Sequence, residues 1–183
     1  FNTDRRVVRE LSTQFLEDLQ FKDFRSSSLY HHRLEQGRVD VGRSLERLFA
    51  IKPEMLDIID YRVVKADVDS SENRARVLVN TRFRRLNMKD EPEEADVMLY
   101  WIKRHPECPI GATCIEGKCH NEYAEAIKRP DADKEDDRGK REKQLGDPEE
   151  VDLSDEFYTC DSMAEHKWFM NLDSTLKEKK YNL

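Results

Sequence analysis

The chain has 183 residues, of which 37% are hydrophobic and 39% are charged, and its formal net charge is −7. This length favours one domain with a sizeable insertion over two domains, and the composition supports a core of modest size. The acidic excess lies between Arg129 and Glu156, where twelve acidic residues accompany six basic ones, whereas the rest of the chain has 27 acids and 26 bases. The near-neutral remainder gives no support to a nucleic-acid partner.

No apolar run approaches the roughly 20 residues that a membrane-spanning helix needs, so we expect no membrane span. The sequence begins at Phe1 rather than Met, which is compatible with the removal of a signal segment or lipid anchor. It contains no Gly-rich phosphate loop, nucleophile elbow or His-Glu-x-x-His helix. The motifs therefore favour a protein that is not an enzyme.

The first part of the chain has helical periodicity. Apolar residues recur at intervals of three and four, at Val8, Leu11, Phe15 and Leu19. We expect Asp4 to cap this helix, the serines at 26–28 to interrupt the pattern, and a short second helix or turn to end near Gly37. A third helix is predicted from Val41 to Phe49, stopped by Pro53.

From Leu56 the pattern changes to that of strands. Residues 57–68 are rich in Ile and Val, and a turn follows at 69–73. The next strand is expected to bury Ala75, Val77, Val79, Thr81 and Phe83. Its opposite face is basic, with Arg76, Arg82, Arg84 and Arg85, and either pairs with acids on neighbouring strands or docks an acidic partner. A strand over 94–104 and a last strand from about Glu165 through Leu172 complete an antiparallel sheet.

Residues between Arg104 and Glu165 show little pattern of a regular core. They include the cysteine-rich stretch, a short helical piece at 121–127, and a charged segment at 129–156. That segment has too few apolar residues to offset the entropy of ordering, so we expect a solvated loop. The sequence therefore predicts a single domain, 1–183, with an insertion at 105–164.

The order of helix, short helix, helix and then a meander of long strands resembles the NTF2-like, or cystatin-like α+β, family. The resemblance covers about 4–104 and 165–176 and rests on element order. It implies an α+β fold, with N-terminal helices packed on a curved antiparallel sheet that forms a cone with a pocket at its wide end. The long irregular insertion then lies in the last hairpin. It implies no single activity, because the fold hosts isomerases, dehydratases, transport adaptors and assembly subunits.

A pocket of this kind has four candidate residues: Tyr30, His31, Asp60 and Tyr61. In NTF2-like enzymes, a His or Asp in the cone acts as general base and a Tyr polarises a carbonyl. The sequence does not show that the four side chains converge, and paired histidines on a short helix are more often partly exposed.

Three of the four cysteines lie between Cys108 and His120, and the fourth is Cys160. The stretch resembles the small Cys-Pro-x-Gly-x-x-Cys-x-x-Gly-x-Cys knuckles of secreted and bacterial envelope proteins, in which glycines such as Gly111 and Gly117 supply positive φ angles. We expect two disulfides among Cys108, Cys114, Cys119 and Cys160, with three pairings open. Disulfides place the protein outside the cytoplasm, in a bacterial periplasm or cell envelope.

Two other interpretations of the cysteines remain as weak alternatives. Cys114, Cys119 and His120 match the longer-spaced variant of the c-type haem attachment motif, although their neighbours are too polar for a haem pocket. A zinc site would use Cys108, Cys114 and Cys119 with either His120 or Cys160, but the five-residue gap is loose for structural zinc.

These observations favour a non-enzymatic, extracytoplasmic interaction or assembly subunit without a cofactor. Its disulfide-held insertion would contact a protein partner in a larger complex. The alternatives are an NTF2-like small-ligand binder or an isomerase- or dehydratase-type enzyme, and an electron-transfer protein with covalent haem c.

Overall fold

The computed structural model describes residues 2–86, 91–121 and 159–181. The chain divides into two compact units: Phe1–Arg104 with Lys167–Leu183 form the first, and His105–His166 form the second. The second unit spans nearly the residues of the predicted insertion, and the assignment of 1–183 to a single domain stays a prediction. The helical piece predicted at 121–127 and the loop predicted at 129–156 lie outside the described residues, apart from Asn121.

The described helices all belong to the first unit. They are α1 (Asn2–Gln20), α2 (Phe24–Ser28), α3 (Val41–Phe49) and α4 (Leu172–Tyr181), with 3₁₀ turns at Gln36–Arg38 and Pro53–Met55. The prediction for α3 is confirmed, and the Asp40 carboxylate caps it by accepting a bond from the Arg43 N–H at 3.0 Å. Asp4 lies inside α1 rather than at its cap, so that part of the prediction is wrong. None of the described helices is both long and apolar enough to cross a membrane.

The serine run ends α2 rather than interrupting helical structure. The Asp23 carboxylate accepts a bond from the Ser26 N–H at 3.1 Å, and the Ser27 and Ser28 hydroxyls donate to carbonyls three or four residues earlier. These bonds let serine occupy a short helix in spite of its low propensity. The turns that follow reach the 3₁₀ turn at Gln36–Arg38, which agrees with the turn predicted near Gly37.

The first unit has an α+β fold in which the N-terminal helices pack on a curved, open, antiparallel sheet of four strands. The strands are β1 (Leu56–Asp69), β2 (Arg74–Arg85), β3 (Glu93–Arg104) and β6 (Lys167–Met170), in the order β1-β2-β3-β6. The register of β1 on β2 shifts between Ile58 and Asp60 and again between Val63 and Lys65, which bends the strand. The predicted α+β class is confirmed.

The buried face of the sheet packs on α1. As predicted, β2 buries its alternate residues Ala75, Val77, Val79, Thr81 and Phe83. The Trp101 indole N–H donates to the Ser12 hydroxyl at 3.0 Å, and the Trp168 indole N–H donates to Asp4 at 3.1 Å. Because each indole joins α1 to a different strand, the two bonds fix the helix across the sheet.

The basic face of β2 is a solvated face with acidic partners on neighbouring strands. Arg76 lies 3.6 Å from Asp67 on β1. Arg85, which was predicted on this face, follows the alternation of the buried face at the end of β2 and lies 2.7 Å from Glu93. Arg82 is opposite Asp60 on one side and Glu94 on the other. Opposite charges at these positions stabilise the pairing modestly. The arginines therefore form part of a mixed-charge surface.

The end of the sheet differs from its prediction. The last strand stops at Met170, and Leu172 begins α4 instead of continuing the strand. Asn171 causes the change, because its side-chain oxygen accepts a bond from the Ser174 N–H at 3.2 Å and starts the helix.

Candidate functional site

The interior of the first unit is filled by its own side chains. The residual space between α1, α3 and the sheet is about 10 Å³, hardly enough for one water. The side chains of α3 that fill it are Leu45, Leu48 and Phe49, and the Phe49 ring packs edge-on against Phe83 with centroids 5.0 Å apart. The described interior therefore lacks the ligand pocket that the NTF2-like resemblance implies at the wide end of a cone.

Tyr30, the first candidate pocket residue, is a packing residue. Its ring lies edge-on to Phe15 and Trp101, with centroids 5.8 and 6.4 Å away, and its hydroxyl donates to Asp18 at 2.9 Å. Burial, together with the hydrogen bond to Asp18, raises the pKa of Tyr30 to about 12. A phenol that holds its proton so firmly and is already bonded to a carboxylate is poorly placed to polarise a substrate carbonyl.

Asp60 and Tyr61 lie on β1, whereas Tyr30 and His31 lie in the turns after α2. Asp60 is exposed, and its carboxylate accepts a bond from the Tyr61 N–H at 2.8 Å. Burial, followed by the charges of Glu17 and Asp60, raises the pKa of Tyr61. Within the described residues, no hydrogen bond connects either residue to Tyr30 or His31, and the convergence of the four side chains stays a prediction.

Of the four candidates, His31 has the environment that most favours a chemical role. Only 2% of the residue is exposed, and its Nδ1 lies 3.2 Å from the Ser28 carbonyl oxygen. A carbonyl only accepts, so Nδ1 carries the proton in the neutral ring and Nε2 presents a lone pair. Burial lowers the pKa of His31, against the opposing effects of the Ser28 carbonyl, Glu35 and Asp173. The buried Nε2 has no hydrogen-bond partner among the described residues.

A cleft of about 240 Å³ lies against His31, outside the packed interior. Its walls come from the turns after α2 and from the junction between β6 and α4, and its polar lining comprises His31, Glu35, Arg38, Asp40, Ser44, Asn171 and Asp173. The sequence did not indicate Glu35, Arg38 or Asp173 as site residues. The available signal was Asn171, whose cap begins α4. The bond from the Met170 N–H to the Tyr30 carbonyl at 2.9 Å places that start beside the turns that follow α2.

The second unit contains a hairpin, β4 (Ala112–Ile115) and β5 (Lys118–Asn121). Glu116 and Gly117 connect the strands with φ angles of 52° and 78°, the positive pair that a two-residue type I′ turn requires. Gly111, just before β4, has a φ of 79°. The prediction of positive φ at both glycines is confirmed, but the sequence missed the hairpin because each strand has only four residues.

Two disulfides cross this hairpin. They join Cys108 to Cys119, with Cα atoms 5.7 Å apart, and Cys114 to Cys160, with Cα atoms 6.1 Å apart. Cys114 and Cys119 are register neighbours across the hairpin, yet each bonds to a cysteine outside it. The structure thus pairs all four cysteines, and the second bridge ties the hairpin to the segment that returns to the first unit's last strand in sequence.

Hydrogen bonds also hold the returning segment. The Cys160 N–H donates to the Gly117 carbonyl at 3.0 Å, and the Asp161 N–H donates to the Glu107 carboxylate at 2.9 Å. His105, which is 4% exposed, places its Nε2 2.7 Å from the Asp161 carbonyl while its Nδ1 accepts from the Glu107 N–H at 3.0 Å. Nε2 therefore donates in this arrangement, and the ring joins the Glu107 backbone to the Asp161 backbone.

The positions of the cysteine sulfurs can be compared with the two weak alternatives, haem and zinc. Thioethers to haem would need the sulfurs of Cys114 and Cys119, both of which form disulfides with other cysteines here. The sulfurs of Cys108, Cys119 and Cys160 lie within 4.8 Å of one another, whereas neither Cys114 nor His120 belongs to that group in the described residues. The disulfide hypothesis is the one that this geometry shows, and the haem and zinc alternatives stay predictions.

In the described part of the second unit, the large apolar side chains other than cysteine are exposed. In its described part, the buried apolar residues are the half-cystines Cys108 and Cys119, while Ile110, Ile115 and Met163 are 56%, 50% and 86% exposed. Small domains commonly use disulfides in place of a hydrophobic core. Here the disulfides leave three large apolar groups available to another surface.

Among the described residues, we take as candidates for function the His31 cleft of the first unit and the exposed Ile110, Ile115 and Met163 of the disulfide-held second unit. No family model matches the chain, and no curated protein or solved structure matches it either.

Proposed function

We propose that the protein is a non-enzymatic interaction or assembly subunit outside the cytoplasm, whose disulfide-held second unit binds a protein partner. The observation that carries the proposal is the exposure of Ile110, Ile115 and Met163 on a unit braced by two disulfides. A braced surface loses little conformational entropy on binding, because its shape is fixed beforehand.

The charges of the second unit indicate the chemistry of that partner. Its described residues contain one lysine, Lys118, no arginine, and four acidic side chains: Glu107, Glu116, Asp161 and Glu165. Interfaces commonly surround an apolar centre with a polar rim, and opposite charges speed association. The partner we propose thus presents an apolar depression with a basic rim.

The cysteines support the proposed compartment. Two disulfides in a chain of this size support an oxidising environment, such as a bacterial periplasm or cell envelope. We also propose that the first unit is an NTF2-like domain, on the support of its three N-terminal helices followed by an antiparallel meander. In this arrangement it is the scaffold that carries the binding unit.

An isomerase- or dehydratase-type enzyme receives less support. Such an activity needs space for a substrate inside the cone, and the interior offers about 10 Å³. Two candidate residues of that pocket also differ in environment, since Asp60 is exposed while His31 is buried.

Site-specific photo-crosslinking in the source cells tests the proposal. A photoreactive amino acid at Met163 should give one discrete adduct, whose partner is identified by mass spectrometry and then purified. With the purified partner, Ile115→Asp should weaken binding at least about tenfold, because it places a charge in the apolar centre of the contact. Leu29→Asp is the matched control, since Leu29 is 61% exposed on the first unit. Equal weakening by both variants, or the absence of a discrete adduct, would contradict the proposal.

A further inference from the structure

The two disulfides of the second unit lie close enough together for their sulfurs to exchange partners. The sulfurs of Cys108, Cys119 and Cys160 are all within 4.8 Å of one another, although Cys160 is bonded to Cys114. That separation is at most about 1 Å beyond the contact distance of nonbonded heavy atoms, so a small side-chain rotation brings Cys160 onto the other bridge. Cys160 is therefore the sulfur at which one disulfide meets the other.

The four cysteines differ in how readily a molecule in solution reaches them. Cys108 and Cys119 are each 1% exposed. Cys160 is half-buried as a whole residue, but its sulfur is buried with those two. Cys114 is half-buried and precedes Ile115, which is 50% exposed on β4. Because the rate of thiol–disulfide exchange depends on access to the attacked sulfur, an external thiolate enters at Cys114.

Each exchange step replaces one S–S bond by another without net oxidation. An external thiolate that attacks the Cys114 sulfur forms a mixed disulfide there, and the electron pair of the broken bond leaves on Cys160. The Cys160 thiolate then attacks Cys108 or Cys119, bonds to it, and releases the other sulfur as a thiolate that takes a proton from water. The reduction thus passes from the accessible bridge to the buried one, while the segment at Cys160 stays covalently attached.

We infer that the second unit is a thiol–disulfide exchange centre for a low-molecular-weight thiol. Cys114 is the entry sulfur, and Cys160 relays the exchange to the Cys108–Cys119 bridge. A small thiol suits the entry sulfur because Cys114 is only partly exposed. The inference is independent of the proposed protein partner, since it depends on the positions of the sulfurs and not on the exposed apolar side chains.

Two single variants distinguish this relay from two independent structural bridges. Cys114→Ser leaves Cys160 as a free thiol beside the other disulfide, whereas Cys160→Ser leaves Cys114, whose sulfur does not belong to the close group. Each protein is held at about pH 8, where part of a free thiol is ionised, then quenched with acid, unfolded, alkylated and mapped by mass spectrometry. In Cys114→Ser, more than about a tenth of the label should appear on Cys108 or Cys119. In the control, Cys160→Ser, the label should remain on Cys114. Label confined to Cys160 in the first variant, or equal redistribution in both, would overturn the inference.

The unsubstituted protein provides a second measurement, with reduced glutathione as the small thiol. After incubation at about millimolar concentration and the same acid quench, the singly modified protein should carry glutathione on Cys114 and its free thiol on Cys108 or Cys119. Glutathione on another cysteine, a free thiol that stays at Cys160, or the absence of any adduct would each contradict the relay.

Discussion

Replacing Leu45 by alanine should destabilise the first unit strongly, because the interior has no space to spare. Leu45 is 2% exposed and lies in the packed layer between α1 and the sheet, where the residual space is about 10 Å³. Leu45→Ala removes three buried carbon groups. Each contributes about 0.8 kcal/mol of burial free energy, or about 2.4 kcal/mol in all. The cavity left behind adds to this loss, so we expect about 3–4 kcal/mol.

Urea unfolding followed by tryptophan fluorescence measures this change, because Trp101 and Trp168 both lie in the first unit. The midpoint should fall while the denaturant slope stays unchanged. Ile58→Val, at a residue 4% exposed, should cost about 1 kcal/mol, and Leu29→Ala, at an exposed leucine, less than about 0.5 kcal/mol. A loss below about 1 kcal/mol for Leu45→Ala would refute the filled interior and revive the hypothesis of a ligand pocket inside the cone.

Three further predictions concern other parts of the fold. Replacing Cys114 and Cys160 by serine removes the bridge that closes a loop of sequence separation 46. The free energy of unfolding, measured by calorimetry, should fall by about 4 kcal/mol. An unchanged unfolding transition would argue against this pairing. Trp101→Phe removes the donor to the buried Ser12 hydroxyl and should lower the free energy of unfolding, measured in urea, by about 1–3 kcal/mol. The loss caused by Trp101→Phe should be smaller in a protein that already carries Ser12→Ala. Because the folded pKa of Tyr30 is raised to about 12, its stabilising contribution is complete below about pH 10 and lost as the pH rises through about 12. An ultraviolet titration should show this late phenol, and Tyr30→Phe should remove it.

The parts of the fold that sequence predicts well are those with one strong local periodicity. In α3 the apolar residues recur at helical spacing with Asp40 before them, and in β2 the alternation is regular from Ala75 to Phe83. In both cases a face buried against the rest of the domain agrees with the local pattern. Where two patterns overlap, prediction fails: Trp168, Met170 and Leu172 alternate as a strand would, but the cap at Asn171 turns the chain into a helix.

The candidate site depends on neighbours that are far apart in sequence, and so little of it was predictable. His31 and Asp173 line the same cleft because β6 pairs with the end of β3 and leaves α4 beside the turns after α2. No spacing in the sequence reports that strand register. The cysteines were predictable as a set, because three of them lie in one short stretch with suitably placed glycines. Their pairing was not, because it depends on where the chain returns at Cys160.

The Cys114–Cys160 bridge also makes residues 114–160 into a covalent ring. If a protease cuts any single peptide bond within that ring, the two fragments remain one molecule, linked through sulfur. A processed chain would therefore migrate as one species under non-reducing electrophoresis and as two after reduction. In an oxidising compartment, such a cut would create two new chain ends without releasing either half. A single cleavage would therefore leave both halves of the protein in one covalent molecule.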